Sequence, residues 1–164
     1  SLLNIINKKL FFIIFIPVFI FLFNANLASQ NSWKNNFELK DASSWLLNYK
    51  AAGYIFDDSK NNFGYFVHSP DDLGYSMRYA MNYTQKFSSN RGNLCQKLAI
   101  TYLVYYPEIP TNSSSYWKDK KVKITGEPDE TRIFGVIKIE KYSLDSREQG
   151  MKTDPNLLCD LSFR

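Results

Sequence analysis

The hydropathy pattern starts with one long apolar run, Leu10–Phe23, preceded by Lys8 and Lys9 and followed by the small and polar residues NANLAS. A positive flank, a short greasy stretch and a small-residue exit are the signature of a secretory signal peptide, predicted here over residues 1–28 with cleavage after Ala28. As a helix the run would reach roughly 21 Å, short of a hydrocarbon core of about 30 Å, and Pro17 lies within it. The competing reading, an uncleaved anchor, would be the chain's only membrane contact. Residues 29–36 are polar apart from Trp33 and read as a lead-in to a single globular domain over 29–164.

Within that domain the periodicity changes several times. DASSWLLNYKAAG predicts a helix over 41–52, capped by Asp41 or Ser43, ended by Gly53 and burying Trp45, Leu46 and Tyr49. YIF, residues 54–56, then reads as extended, and Phe63–Ser69 as a strand of aromatic and β-branched residues. PDDLG reads as a reversal, and YSMRYAMNY, residues 75–83, alternates Tyr or Met with small or polar residues. Strict period two predicts a strand with Tyr75, Met77, Tyr79, Met81 and Tyr83 along one half-buried face. Ser69, Pro70 and the two acids after them also form a good helix start, so a helix over 69–87 is the competing reading.

Next comes LCQKLAITYLVYYP, apolar on both alternating faces, the pattern of a central strand covered on both sides. KKVKITG and TRIFGVIKIEKYS read as a hairpin across EPDE, with a bulge at Gly135, and LLCDLSFR as a closing strand. The whole predicts an α+β fold: a curved antiparallel sheet or partial barrel of about seven strands with one N-terminal helix packed on it.

Composition narrows the function. Residues 29–164 hold 18 basic and 16 acidic side chains, a net charge of +2, which lacks the strong positive field of a nucleic-acid binder. Cys95 and Cys159 are the only cysteines. In an exported protein, periplasmic or extracellular, an isolated pair is expected to bond.

One histidine, His68, excludes a multi-histidine metal site, and no spacing of ligands indicates a metal or cofactor. A serine triad would have to combine His68 with Asp71 or Asp72, but no serine has the glycine-flanked setting of a nucleophile elbow. The acids Asp57, Asp58, Glu127, Asp129 and Glu130 sit in turn-like stretches without marking a catalytic pair. Asn82 and Asn112 match a glycosylation acceptor pattern short enough to occur by chance.

SSSYWKDKKVK, residues 113–123, joins aromatics to cations after a serine-rich loop. Tyr116 and Trp117, with Lys118, Lys120 and Lys121 steering, are therefore the candidate contact residues of a non-enzymatic, inhibitor-, immunity- or adaptor-like domain that binds another envelope or secreted protein; the competing reading tucks Trp117 into the core and leaves the lysines to protect a sheet edge. The alternative is a carrier of a small apolar ligand, with Tyr75, Met77, Tyr79 and Met81 lining its cavity. A hydrolase with dispersed acids and a structural envelope component are the remaining readings.

Overall fold

The structure, a computed structural model, describes residues 16–24, 42–70, 73–107 and 113–159. The chain divides into two units, residues 1–37 and 38–164. The first contributes one described helix, α1, over 16–24, which covers the second half of the apolar run and Asn24. The cleavage position after Ala28 and the lead-in over 29–36 lie outside the described residues. Among the described residues no helix is long and apolar enough to cross a membrane.

The second unit is α+β. Helix α2 spans Trp45–Asp58. Strand β1 spans Phe63–His68, helix α3 Tyr75–Gln85, β2 Gly92–Leu94 and β3 Ile100–Tyr105. A short helix α4, Ser113–Tyr116, runs into a π-helical turn, Trp117–Val122. The hairpin β4 (Glu130–Phe134) and β5 (Ile137–Ser143) and the short helix α5 (Ser146–Gly150) follow. The five strands form one open sheet in the order β2-β1-β3-β5-β4. β1 pairs parallel with both β2 and β3, whereas β5 pairs antiparallel with β3 and β4. The sheet is thus mixed and five-stranded, rather than antiparallel and seven-stranded. Parallel neighbours need a long crossover, and α3 supplies it.

The reading of α3 as a strand is overturned by a second periodicity inside the alternation. Met77 and Met81 are four residues apart, as are Tyr75, Tyr79 and Tyr83. Four residues advance a helix by little more than a turn, so each set makes its own stripe. Met77, Ala80 and Met81 face the sheet, at most 1% exposed, while Tyr75, Tyr79 and Tyr83 face out. Gly74, at φ +55°, precedes the helix in the left-handed region that glycine tolerates.

α2 is likewise longer than its capping pattern suggests. Leu47, Asn48, Ala51 and Ala52 form a buried stripe that Ile55 and Phe56 continue without a break. That packing outweighs the roughly 1 kcal/mol by which Gly53 disfavours a helix interior, so YIF is helical. The buried stripe is not Trp45, Leu46 and Tyr49, all of which are exposed.

β3 is the central strand, buried on both faces. On one side Phe63, Tyr65, Val67, Tyr102, Val104, Ile137 and Ile139 pack under α2 and α3. On the other, Phe66, Leu103, Tyr105 and Tyr142 pack under Trp117, Val122, Ile124 and Leu144. The π-helical turn explains why KKVK is not a strand: the Lys123 amide donates to the Lys118 carbonyl at 2.7 Å, and the widened turn buries both Trp117 and Val122. Gly135 is not a bulge. With Phe134 opposite Ile137, it is the first residue of a two-residue hairpin connection, at φ +57°.

Cys95 and Cys159 form a disulfide, with Cα atoms 5.8 Å apart. Residues 157–159 are irregular rather than a strand, and 160–164 lie outside the described residues.

Candidate functional site

α2 and α3 lie side by side on one face of the sheet and run in the same direction. Trp45 meets Tyr79, Tyr49 meets Tyr83, and Gly53 and Phe87 border the same groove. With Met77, Ala80 and Met81 turned down and Leu47, Ala51 and Ile55 opposite them, the outer halves of both helices are left to their aromatic stripes. Trp45 stacks on Tyr49, their ring centroids 5.6 Å apart at 22°, and stands edge-on to Tyr79 and Tyr83, each at 5.4 Å. Tyr83 continues to Phe87 at 5.3 Å.

These rings satisfy one another at their edges and leave large surfaces to solvent: Tyr79 is 54% exposed and Phe87 75%. Beyond Tyr49 and Tyr83 the seam opens into a groove of about 690 Å³, with Gly53 on one wall and Tyr54, Phe87 and Phe134 on others. A Cβ at Gly53 would meet nothing within 4 Å. Contiguous exposed apolar surface of this kind marks interaction sites in soluble domains.

The residues proposed from the 113–123 segment separate. Trp117 is a core residue, 4% exposed, stacked on the His68 ring at 4.7 Å and edge-on to Tyr105 at 5.7 Å. Tyr116 is exposed. Lys118 turns inward, its Nζ donating to the Gly126 carbonyl at 3.3 Å and lying 5.9 Å from the centre of the Tyr142 ring. Lys120 is exposed and Lys121 half-buried. The pair Tyr116 and Trp117 is therefore not one contact surface. Trp117→Ala is expected to destabilise the fold by about 3–5 kcal/mol, the usual range for emptying a buried indole site. Tyr116→Ala should leave thermal unfolding near that of the parent. Parallel melts of the two variants check this, and equal small shifts would mean that Trp117 is not a core anchor.

Tyr75, Met77, Tyr79 and Met81 do not line one cavity either, because the helix sends the methionines to the core and the tyrosines to the surface. Tyr75 borders a second hollow of about 260 Å³ beside Pro70 and Tyr106, and Met77 and Met81 border neither hollow.

Acid–base chemistry finds no assembled centre among the described residues. The Ser113 hydroxyl lies 3.4 Å from His68 Nε2, but His68 is held in the packing against Trp117, and Asp71 and Asp72 lie outside the described residues. Asp58 accepts hydrogen bonds from the Tyr102 hydroxyl at 2.5 Å and from Lys141 Nζ at 2.7 Å. Burial alone would raise its pKa, yet those bonds outweigh burial and hold the carboxyl below its ordinary value.

Glu140, bonded by Tyr142 at 2.6 Å and Lys138 at 2.9 Å, is held low against burial in the same way. Successive strand residues face opposite ways. Lys141, with its partner Asp58, therefore lies on the α2 side of β5, and Glu140 on the other. The two acids cannot flank one substrate, and each is engaged in tying tyrosines and lysines together. Burial pushes the Tyr65 phenol up to about 12, with Arg78 opposing, and raises Tyr102, Tyr105 and Tyr142 as well. All four are structural phenols. No group of acids, histidine and cysteines that could hold a metal ion occurs among the described residues.

Comparison with known protein families, curated proteins and solved structures gives no match. Trp45, Tyr49, Tyr83 and Phe87 carry no motif that marks them as site residues in the sequence. The trace they leave is spacing by four, 45 to 49 and 75 to 79 to 83 to 87 in the case of the aromatics. A run of aromatics at that interval lies along one helix face.

Proposed function

We propose that the protein is an exported, non-catalytic binding domain that recognises another protein through the aromatic seam of α2 and α3. The observation that carries this reading is the exposed cluster of Trp45, Tyr49, Tyr79, Tyr83 and Phe87 on two adjacent helices. Tyr and Trp supply large, rigid contact area at little entropic cost and dominate the energetic centres of protein interfaces. Export is supported by the charged and apolar leader and by the disulfide, which persists in oxidising compartments. The burial of Met77 and Met81 beneath α3 supports this reading over a carrier whose cavity they would line.

A photo-crosslinking residue placed at Tyr79 in the exporting cell is expected to trap one partner protein. The same group at Lys120, on the turn that covers the opposite face of the sheet, is expected to trap none. Trp45→Ala combined with Tyr79→Ala should weaken that partner at least about tenfold while shifting the melting temperature little, since both rings stand at the surface. Trapping from position 120 but not 79 would overturn the assignment and return the contact to the segment around Tyr116.

A further inference from the structure

The groove end of the helical face has a symmetry of its own. Lys50 and Asp57 are seven residues apart on α2, hence two turns, about 10.5 Å along the axis and nearly on one line. Both are exposed or half-exposed, and neither forms an ion pair among the described residues. Gly53 stands between them, near the middle, and the space above it is open. We infer that this surface binds a second copy of the chain, with the two α2 helices packed in opposite directions about a two-fold axis near Gly53.

A two-fold contact requires a self-complementary patch: whatever one residue meets, its counterpart must meet in return. Reversing α2 about a point between Gly53 and Tyr54 brings Lys50 against Asp57 of the other copy and Asp57 against its Lys50, so both charges are answered at once. In a parallel arrangement each charge would meet its like. The missing side chain at Gly53 lets the helix axes approach at the crossing, where packing distance is set by side-chain size. Phe87, projecting beside the groove at 75% exposure, is then placed to enter the groove of the other copy, an apolar contribution made twice. The modest net charge of +2 over residues 29–164 opposes such pairing weakly. Trp45 and Tyr79 lie toward the other end of the seam; Tyr49 and Phe87 are common to both surfaces, and the charge pairing of α2 does not rest on the partner reading.

The test is sedimentation equilibrium on the oxidised protein in its exported form, with charge reversals at these two positions. The parent should dimerise. Lys50→Glu and Asp57→Lys should each weaken dimerisation about tenfold or more, because each reversal replaces both attractive pairs by repulsive ones. The double variant should dimerise like the parent, and a mixture of the two single variants should form a heterodimer, since the swapped charges are again complementary. Melting temperatures near the parent's confirm that the variants are folded. A parent that stays monomeric, single reversals without effect, or failure of both the double variant and the mixture to restore association would each overturn the inference. Dimerisation with this charge pattern, alongside no capture from position 79, would refute the partner reading alone.

Discussion

Gly64→Ala is expected to prevent folding, or to destabilise the native state by about 4 kcal/mol or more, a size that signals a specific structural conflict. A Cβ at position 64 would lie 1.8 Å from the Gln96 carbonyl oxygen, 2.9 Å from its carbonyl carbon and 3.1 Å from the Leu98 nitrogen. These are backbone atoms, so no rotamer change relieves the clash. The segment that crosses over β1 is also pinned at both ends. The Cys95 amide donates to the Tyr65 carbonyl at 2.8 Å. At the other end the Leu98 amide donates to Thr101 Oγ1 at 3.0 Å, and the Thr101 hydroxyl donates to the Leu98 carbonyl at 2.8 Å.

Moving the segment away would break the connection between β2 and β3 and shift the disulfide. The same substitution at Gly53, measured at a protein concentration low enough for the chain to be monomeric, should act in the opposite sense: the position is helical, open, and gains roughly 0.5–1 kcal/mol when glycine becomes alanine. Denaturant melts of the two variants side by side check the pair. A Gly64→Ala variant as stable as the parent would mean that the 96–98 crossing is not fixed as described.

The contrast between the two glycines shows what was legible in the chain. Gly53 follows a helical pattern and has the residue type of a helix end, yet Ile55 and Phe56 keep the buried stripe in phase. Propensity is a weaker force than continued burial, and whether a stripe is buried depends on the sheet beneath it. β3 was legible because its apolarity on both faces admits little besides a covered central strand, and β1 because its residues favour a pleated surface. The Cys95–Cys159 bridge was legible from the count of cysteines. α3 was ambiguous for a definite reason. Its Tyr and Met residues alternate at period two and also repeat at period four, and only the partner surface decides which period is used. The aromatic seam is obscured by the same preference that makes aromatic residues useful: large rings usually go inside, so spacing alone favours Trp45 and Tyr49 for the core over the smaller Leu47, Ala51 and Ala52. Trp117 takes the core position that competes with contact in the sequence, while the π-helical turn that puts it there is not signalled by hydropathy.

Loss of the disulfide is the other large expected effect. Cys95 and Cys159 are separated by 64 residues, and removing a cross-link over a loop of that length is expected to cost about 4 kcal/mol if the effect lies mainly in the unfolded chain. For a domain of this size that corresponds to a fall of roughly 10–20 °C in melting temperature. The native state adds a local reason. β2 stops at Leu94 opposite Tyr65, so the outer edge of β1 from Phe66 to His68 has no strand beside it on that side. The C-terminal segment lies along that edge, with Asn156, Leu157 and Leu158 closing over Phe66, Val67 and Arg78.

Besides the bridge, this segment is held by the Arg78 guanidinium donating to the Leu158 carbonyl at 2.5 Å and by the Asp154 amide donating to the Lys121 carbonyl at 2.8 Å. Arg78 comes from α3, the helix that carries Tyr75, Tyr79 and Tyr83 on its other side. Release of the tail therefore withdraws a buried charged hydrogen bond from the helix that supports the aromatic seam. Cys95→Ser with Cys159→Ser should show the lowered melting temperature together with faster amide exchange at Phe66–His68, whereas a surface staple without structural consequence would leave both within error of the parent. Coupled loss of exchange protection in α3 is the further expected result, since it would tie the integrity of the proposed binding face to the oxidised state of Cys95 and Cys159.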